Sequence, residues 1–199
     1  MKNTLLFAVI FIAGLLLGTL LNVDYLITLE WMKTTVINVL LLLIGVGVGA
    51  DVASFAKLRH LNKTMLMIPF LVAAGSVIGT GLIALLFPLI GFKNGLAVGA
   101  GFGFYSLSSV ILTDLQGVEL GTIALLTNLI RELATILSTP VLAKWVGWLA
   151  PIASAGATSM DVTLPVIQRY SGNQYTLVSI FNGVVLSVLV PILVPILGG

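Results

Sequence analysis

Seven stretches of this sequence are long, apolar and almost free of charge: 4–21, 32–50, 65–90, 95–113, 120–143, 150–167 and 175–197. A helix needs about 20 apolar residues to cross the hydrocarbon of a bilayer, so runs of this length dictate a membrane as solvent before any other feature is weighed. Of the 199 residues, 59% are hydrophobic and 8% charged, with a mean hydropathy of +1.19. A soluble surface, about a quarter charged, cannot be assembled from that inventory. The expectation is an all-α polytopic membrane helix bundle of about seven spans, with 1–199 forming a single transmembrane domain.

Loop charges give an orientation. Lys57, Arg59, His60 and Lys63 make the most basic loop, which the positive-inside rule puts in the cytoplasm. Lys2 and Arg169 then fall inside with it, and Lys33, Lys93 and Lys144 fall outside, so the N-terminus is expected in the cytoplasm and the C-terminus outside. Trp31, Trp145 and Trp148 lie at external span ends, where indoles anchor helices among headgroups. The first run has no small-residue cleavage site near Leu20, Asn22 and Asp24, and is read as a retained span rather than a signal peptide.

The same inventory excludes chemistries. There is no Cys, and the only His is His60 in the basic loop, which removes thiolate and imidazole metal sites, iron–sulfur clusters and Ser/His or Cys/His nucleophiles. No metal, no cofactor and no enzymatic activity are expected. The net charge of +2 comes from loop cations beside hydrophobic runs, so nucleic acid is not an expected partner and the lipid bilayer is.

Two of the runs cannot be plain lipid-facing helices. Gly99-Ala100-Gly101-Phe102-Gly103-Phe104-Tyr105-Ser106-Leu107-Ser108-Ser109 sets glycines, an aromatic pair and hydroxyls at the middle of 95–113, where a regular helix weakens. Ser154-Ala155-Gly156-Ala157-Thr158-Ser159-Met160-Asp161-Val162-Thr163-Leu164-Pro165 puts hydroxyls, a carboxylate and a proline at membrane depth. Each unsatisfied peptide group in hydrocarbon costs several kcal/mol, so irregular backbone survives there only when buried in protein or lining a wet cavity. The pair is expected to form two broken, crossing helices around one site, as in transporters that aim half-helix ends at their substrates. The Gly45–49 and Gly75–81 clusters read instead as close helix packing.

Arg131 and Glu132 lie at the centre of 120–143, where even the lenient insertion scale charges roughly 2.5–3.5 kcal/mol per ion. Asn128, Arg131, Glu132, Thr135 and Thr139 follow the i, i+3, i+4, i+7, i+11 spacing of one helical face, so a polar stripe faces the interior. Adjacent residues point about 100° apart, which makes Arg131 and Glu132 a poor mutual pair and leaves Asp161 or a carbonyl as partners for Arg131. Asp51, Asp114 and Glu119 read as cap residues at the cytoplasmic edge. Asn182, with Ser179 and Gly183 beside it, either lines the site or staples helices.

Gly101-Phe102-Gly103-Phe104-Tyr105-Ser106-Leu107-Ser108-Ser109, Asn128-Leu129-Ile130-Arg131-Glu132 and Gly156-Ala157-Thr158-Ser159-Met160-Asp161-Val162-Thr163-Leu164-Pro165-Val166-Ile167 together resemble the lysine exporter family of the LysO type. The resemblance runs from about Leu40 to the C-terminus. It implies export of L-lysine and toxic lysine analogues across a prokaryotic inner membrane by antiport against protons, with Na⁺ as the alternative ion. It also implies a fold related to bile-acid symporters and sodium/proton antiporters. Many members carry a further hydrophobic N-terminal region, so a small membrane partner subunit or a homo-oligomer is a candidate to complete the fold.

On that resemblance the essential carboxylate maps onto Glu132, with Asp161 as the second acidic candidate. The substrate and coupling set is expected to comprise Glu132, Asp161, Arg131, Asn128, Tyr105, Ser106, Ser108, Ser109, Thr158, Ser159 and Asn182. Carboxylate or carbonyl oxygens suit lysine's ammonium groups; hydroxyls, free N–H groups or Arg131 suit its carboxylate, which is assigned to the Ser159 region. A partly desolvated carboxylate can exchange a proton for a cationic cargo, which is the physical case for antiport. Other classes remain: an accessory membrane subunit without its own site, a passive channel, and an intramembrane aspartyl protease suggested by Gly47-Val48-Gly49-Ala50-Asp51, whose register is off by one residue.

Overall fold

The computed structural model describes residues 63–199, together with Thr35, Asn38, Val39, Leu42 and Val46 as helical positions. The chain divides into two compact units, Met1–Leu42 and Leu43–Gly199, and the architecture below belongs to the second. Apart from those five positions and Lys63, the expected spans at 4–21 and 32–50, the basic loop and Asp51 lie outside the described residues.

Seven α-helices and no strand occur among the described residues. They are α1 (Lys63–Ala84), α2 (Gly91–Gly99), α3 (Tyr105–Gln116), α4 (Val118–Trp145), α5 (Ala150–Ala155), α6 (Leu164–Ser171) and α7 (Thr176–Gly198). Short 3₁₀ segments, Gly156–Met160 and Asn173–Tyr175, follow α5 and α6. Among the described residues, three stretches are long and apolar enough to cross a membrane: Met65–Ala84, Val118–Trp145 and Asn173–Gly198.

The apolar runs 95–113 and 150–167 are interrupted, and the residues say why. Between α2 and α3 the chain turns through Ala100–Phe104, where Phe102 at φ +50° and Gly103 at φ +96° take the left-handed conformation that ends a helix. The irregular stretch is shorter than the expected 101–109, because α3 resumes at Tyr105 and Ser106, Ser108 and Ser109 sit in its first turns. Between α5 and α6, Gly156 at φ +67° ends the α-helix, the 3₁₀ turn carries the chain to Met160, and Pro165 sits in the first turn of α6.

α7 is the most enclosed long helix and packs against the 3₁₀ turn, α3, α2 and α1, while α4 packs against α3, α5 and α2. On α4 the polar stripe is turned inward: Asn128, Glu132, Thr135 and Thr139 are buried. The opposite stripe of Leu126, Ile130, Leu133, Leu137 and Val141 is exposed, as lipid-facing residues must be. Lipid tails are as apolar as leucine, so association here rests on close packing and polar contacts rather than on hydrophobic transfer. α1 and α2 touch backbone to backbone, and a Cβ on Gly99 would lie 2.7 Å from the Ser76 carbonyl oxygen.

Candidate functional site

The two interruptions meet. The Ala157 N–H donates to the Phe102 carbonyl over 2.8 Å, joining the turn after α2 to the 3₁₀ turn after α5. Gly156 makes that approach possible, since a Cβ there would collide with the Phe102 carbonyl oxygen and would also require the left-handed φ. Asn128 fixes the first turn from the side: its Oδ1 accepts the Gly103 N–H at 2.7 Å, and its Nδ2 donates to the Ala124 carbonyl at 2.9 Å.

Arg131 occupies the carbonyl side of this junction. Its Nε donates to the Ser154 carbonyl at 2.9 Å and its Nη2 to the Ala153 carbonyl at 3.3 Å, two carbonyls at the end of α5. Its Nη1 donates to Ser76 Oγ at 2.8 Å, and Ser76 in turn donates to the carbonyl of Gly99, the last residue of α2, at 2.9 Å. One guanidinium thus serves the carbonyl ends of two helices, directly on α5 and through a hydroxyl on α2. Those ends carry orphan carbonyls and the negative pole of the peptide dipoles, so a fixed cation there compensates both. Of the two partners open to Arg131 on sequence grounds, it takes carbonyls; among the described residues no carboxylate pairs with it.

Glu132 leaves α4 about 100° further round and faces the other side of the junction. It is 7% exposed and lines a cavity of about 220 Å³. Asp161, Tyr105, Ser106, Thr158 and Ser187 line the same cavity, along with Gly103 and Phe104 at the start of α3. The first amides of a helix have no intrahelical acceptor and sit at its positive pole, so α3 offers anion-binding groups to a space that also holds two carboxylates. The two carboxylates differ. Asp161 is exposed and its Oδ1 accepts the Val162 N–H at 2.6 Å, whereas Glu132 Oε2 is buried with no hydrogen bond.

Other expected site residues are spent on the scaffold. Ser108 Oγ donates to the Phe104 carbonyl at 3.0 Å, and Ser159 and Ser179 form a reciprocal pair, each hydroxyl 2.7–2.8 Å from the other's carbonyl oxygen. Asn182 Nδ2 donates to the Gly156 carbonyl at 2.9 Å and reaches Ser159 Oγ at 3.0 Å. These contacts staple α7 to the 3₁₀ turn, while Asn182 Oδ1 is buried without a hydrogen bond. Neither Ser159, Asn182 nor Ser109 lines the 220 Å³ cavity. Residues missed from sequence are Ser187, four positions after Gly183 on α7, and Ser76, hidden in a glycine cluster read as packing.

The family model described as the lysine exporter LysO matches residues 8–198. The chain belongs to the lysine exporter LysO family. It is 37% identical over 155 residues to the protein of Escherichia coli K12 named Lysine exporter LysO, an overlap of 78% of this chain and 51% of that protein. It is 35% identical over 182 residues to a Haemophilus influenzae Rd protein provisionally named a lysine exporter, an overlap of 92% and 91%. The chain thus spans about half the length of the Escherichia coli relative. No solved structure matches it. The three segments that carry the resemblance to the LysO family, 101–109, 128–132 and 156–167, are the three that meet at this junction through Phe102, Gly103, Asn128, Gly156 and Ala157.

Proposed function

We propose that the chain exports L-lysine and lysine analogues across a prokaryotic inner membrane, in exchange for protons. The observation that carries this reading is the single cavity in which Glu132 and Asp161 face the amino end of α3, because lysine presents cationic amines and an anionic carboxylate to be held together. In this reading α2–α3 and α5–α6 are two discontinuous helices that cross within a single transporter domain of about seven spans, N-terminus inside and C-terminus outside. The cavity is smaller than the roughly 300–1,000 Å³ of drug-sized sites and suits a free amino acid.

The roles divide by side. Arg131 holds the carbonyl ends in place and so fixes the junction. Glu132 neutralises an ammonium group of the cargo and, when the cargo leaves, takes a proton, so that no bare charge is left in a dry site. Asp161, nearer water, draws cations to the mouth. The free amides at Tyr105 and Ser106 take the α-carboxylate, a placement favoured over the Ser159 region because Ser159 is occupied by Ser179 and Asn182.

The test is uptake of labelled L-lysine into proteoliposomes carrying the full chain, with and without an imposed proton gradient. Gradient-driven accumulation supports the reading. Flux that ignores the gradient indicates a passive pore, and no lysine flux or binding indicates an accessory subunit. A sodium gradient in the same assay separates the two coupling ions.

A further inference from the structure

Two buried polar atoms on the wall of the 220 Å³ cavity have no partner. One is Glu132 Oε2 on α4 and the other is Ser187 Oγ on α7. Ser187 is 1% exposed. Leaving a donor or acceptor buried and unsatisfied costs about as much as a lost hydrogen bond; around the junction Ser159, Ser179, Thr163 and Asn128 all bond to backbone, and Asn182 Oδ1, which does not line the cavity, is the other buried atom left without a partner there. A serine in a helix also has an easy internal solution, the carbonyl one turn back, which Thr80, Ser108 and Thr139 adopt and Ser187 does not.

We propose that Ser187 is a cargo ligand, its hydroxyl oxygen accepting from the side-chain ammonium of lysine, the group that Glu132 also neutralises. A primary ammonium has three N–H donors on one nitrogen and can serve a carboxylate and a hydroxyl at once. Holding the cation between α4 and α7 makes Ser187 a selector for primary amines over alkylated ones. The assignment rests on the lysine-export reading and adds to it the number of donors the site counts.

The experiment measures binding of L-lysine and of Nε,Nε-dimethyl-L-lysine, whose side-chain nitrogen keeps a single donor, to purified wild-type and Ser187→Ala protein by calorimetry. The wild type binds lysine roughly tenfold or more tightly than the dimethyl analogue, as expected for one hydrogen bond to a charged group. Ser187→Ala weakens lysine by a similar factor and leaves the analogue nearly unchanged, because its one donor goes to the carboxylate. Equal losses for both ligands, or none for lysine, overturn the assignment while leaving export intact. Should Ser187→Ala fail to fold, Ser187→Cys, which keeps the size but offers a poor acceptor, is read by the same criteria. A wild type that binds no lysine removes the export reading and this inference together.

Discussion

Phe102 and Ala157 join the two interrupted segments by a backbone hydrogen bond of 2.8 Å, and the approach leaves no room for a side chain at Gly156. Gly156→Ala is therefore expected to be among the most damaging small substitutions in the chain. It adds a Cβ against the Phe102 carbonyl and forces an alanine to φ +67°, a combination that costs about 1–3 kcal/mol from the backbone alone. Thermal unfolding in detergent should show a lowered midpoint, and an unchanged midpoint would mean the two turns do not press on one another.

Arg131→Lys keeps the charge and should still fail to substitute. The guanidinium spreads three N–H groups to Ser154, Ala153 and Ser76, whereas an ammonium is a compact point donor that cannot span α5 and α1 together. A double-mutant cycle with Ser76→Ala separates the contributions: Ser76→Ala should destabilise the wild type by about 0.5–3 kcal/mol more than it destabilises Arg131→Lys. Additive effects would sever the proposed link from α5 to α2.

Asn128→Ala is expected to act through the scaffold rather than on the cargo. It leaves the Gly103 N–H buried and unpaired, a loss of about 1–3 kcal/mol. Hydrogen exchange at Gly103 should quicken, and lysine affinity and maximal rate should fall together. A change in affinity alone, with Gly103 still protected, would instead return Asn128 to the cavity.

Much of this arrangement was legible in the sequence because membranes penalise polarity so heavily. A charge in an apolar run has few reasons to exist, which is why Arg131, Glu132 and the inward stripe through Thr135 and Thr139 could be read from spacing. The glycines and hydroxyls of the two irregular stretches were visible for the same reason. What spacing does not carry is the distinction between a hydroxyl that lines a cavity and one that bonds to backbone. Ser106 lines the cavity and Ser108, two residues on, is turned back to the Phe104 carbonyl. That difference is set by helix rotation about the turn at Phe102, a tertiary quantity. Ser187 stayed hidden because it stands among valines and leucines in the second half of α7, without the polar neighbours that mark Ser179 beside Asn182.

Glu132 and Asp161 share a cavity, and the proposed export gives them different parts because their surroundings differ. Glu132 is buried with a bare Oε2, so in the proposed cycle its charge is cancelled by a proton or by the cargo. Glu132→Gln keeps the shape and removes that exchange. The variant should fold, insert and retain at most weak lysine exchange, with gradient-driven accumulation lost. Asp161 is exposed and already accepts the Val162 N–H, so its charge is tolerated by solvent whether or not cargo is present. Asp161→Asn should raise the lysine concentration needed for half-maximal flux several-fold, by removing one attractive charge near the mouth, while the dependence on the proton gradient persists. Both variants are read in the same proteoliposomes, as initial rate against lysine concentration at a fixed gradient and then against the gradient at fixed lysine. Gradient-driven accumulation that survives in Glu132→Gln and vanishes in Asp161→Asn would transfer the coupling role to Asp161, and the buried carboxylate would then be a cargo anchor only.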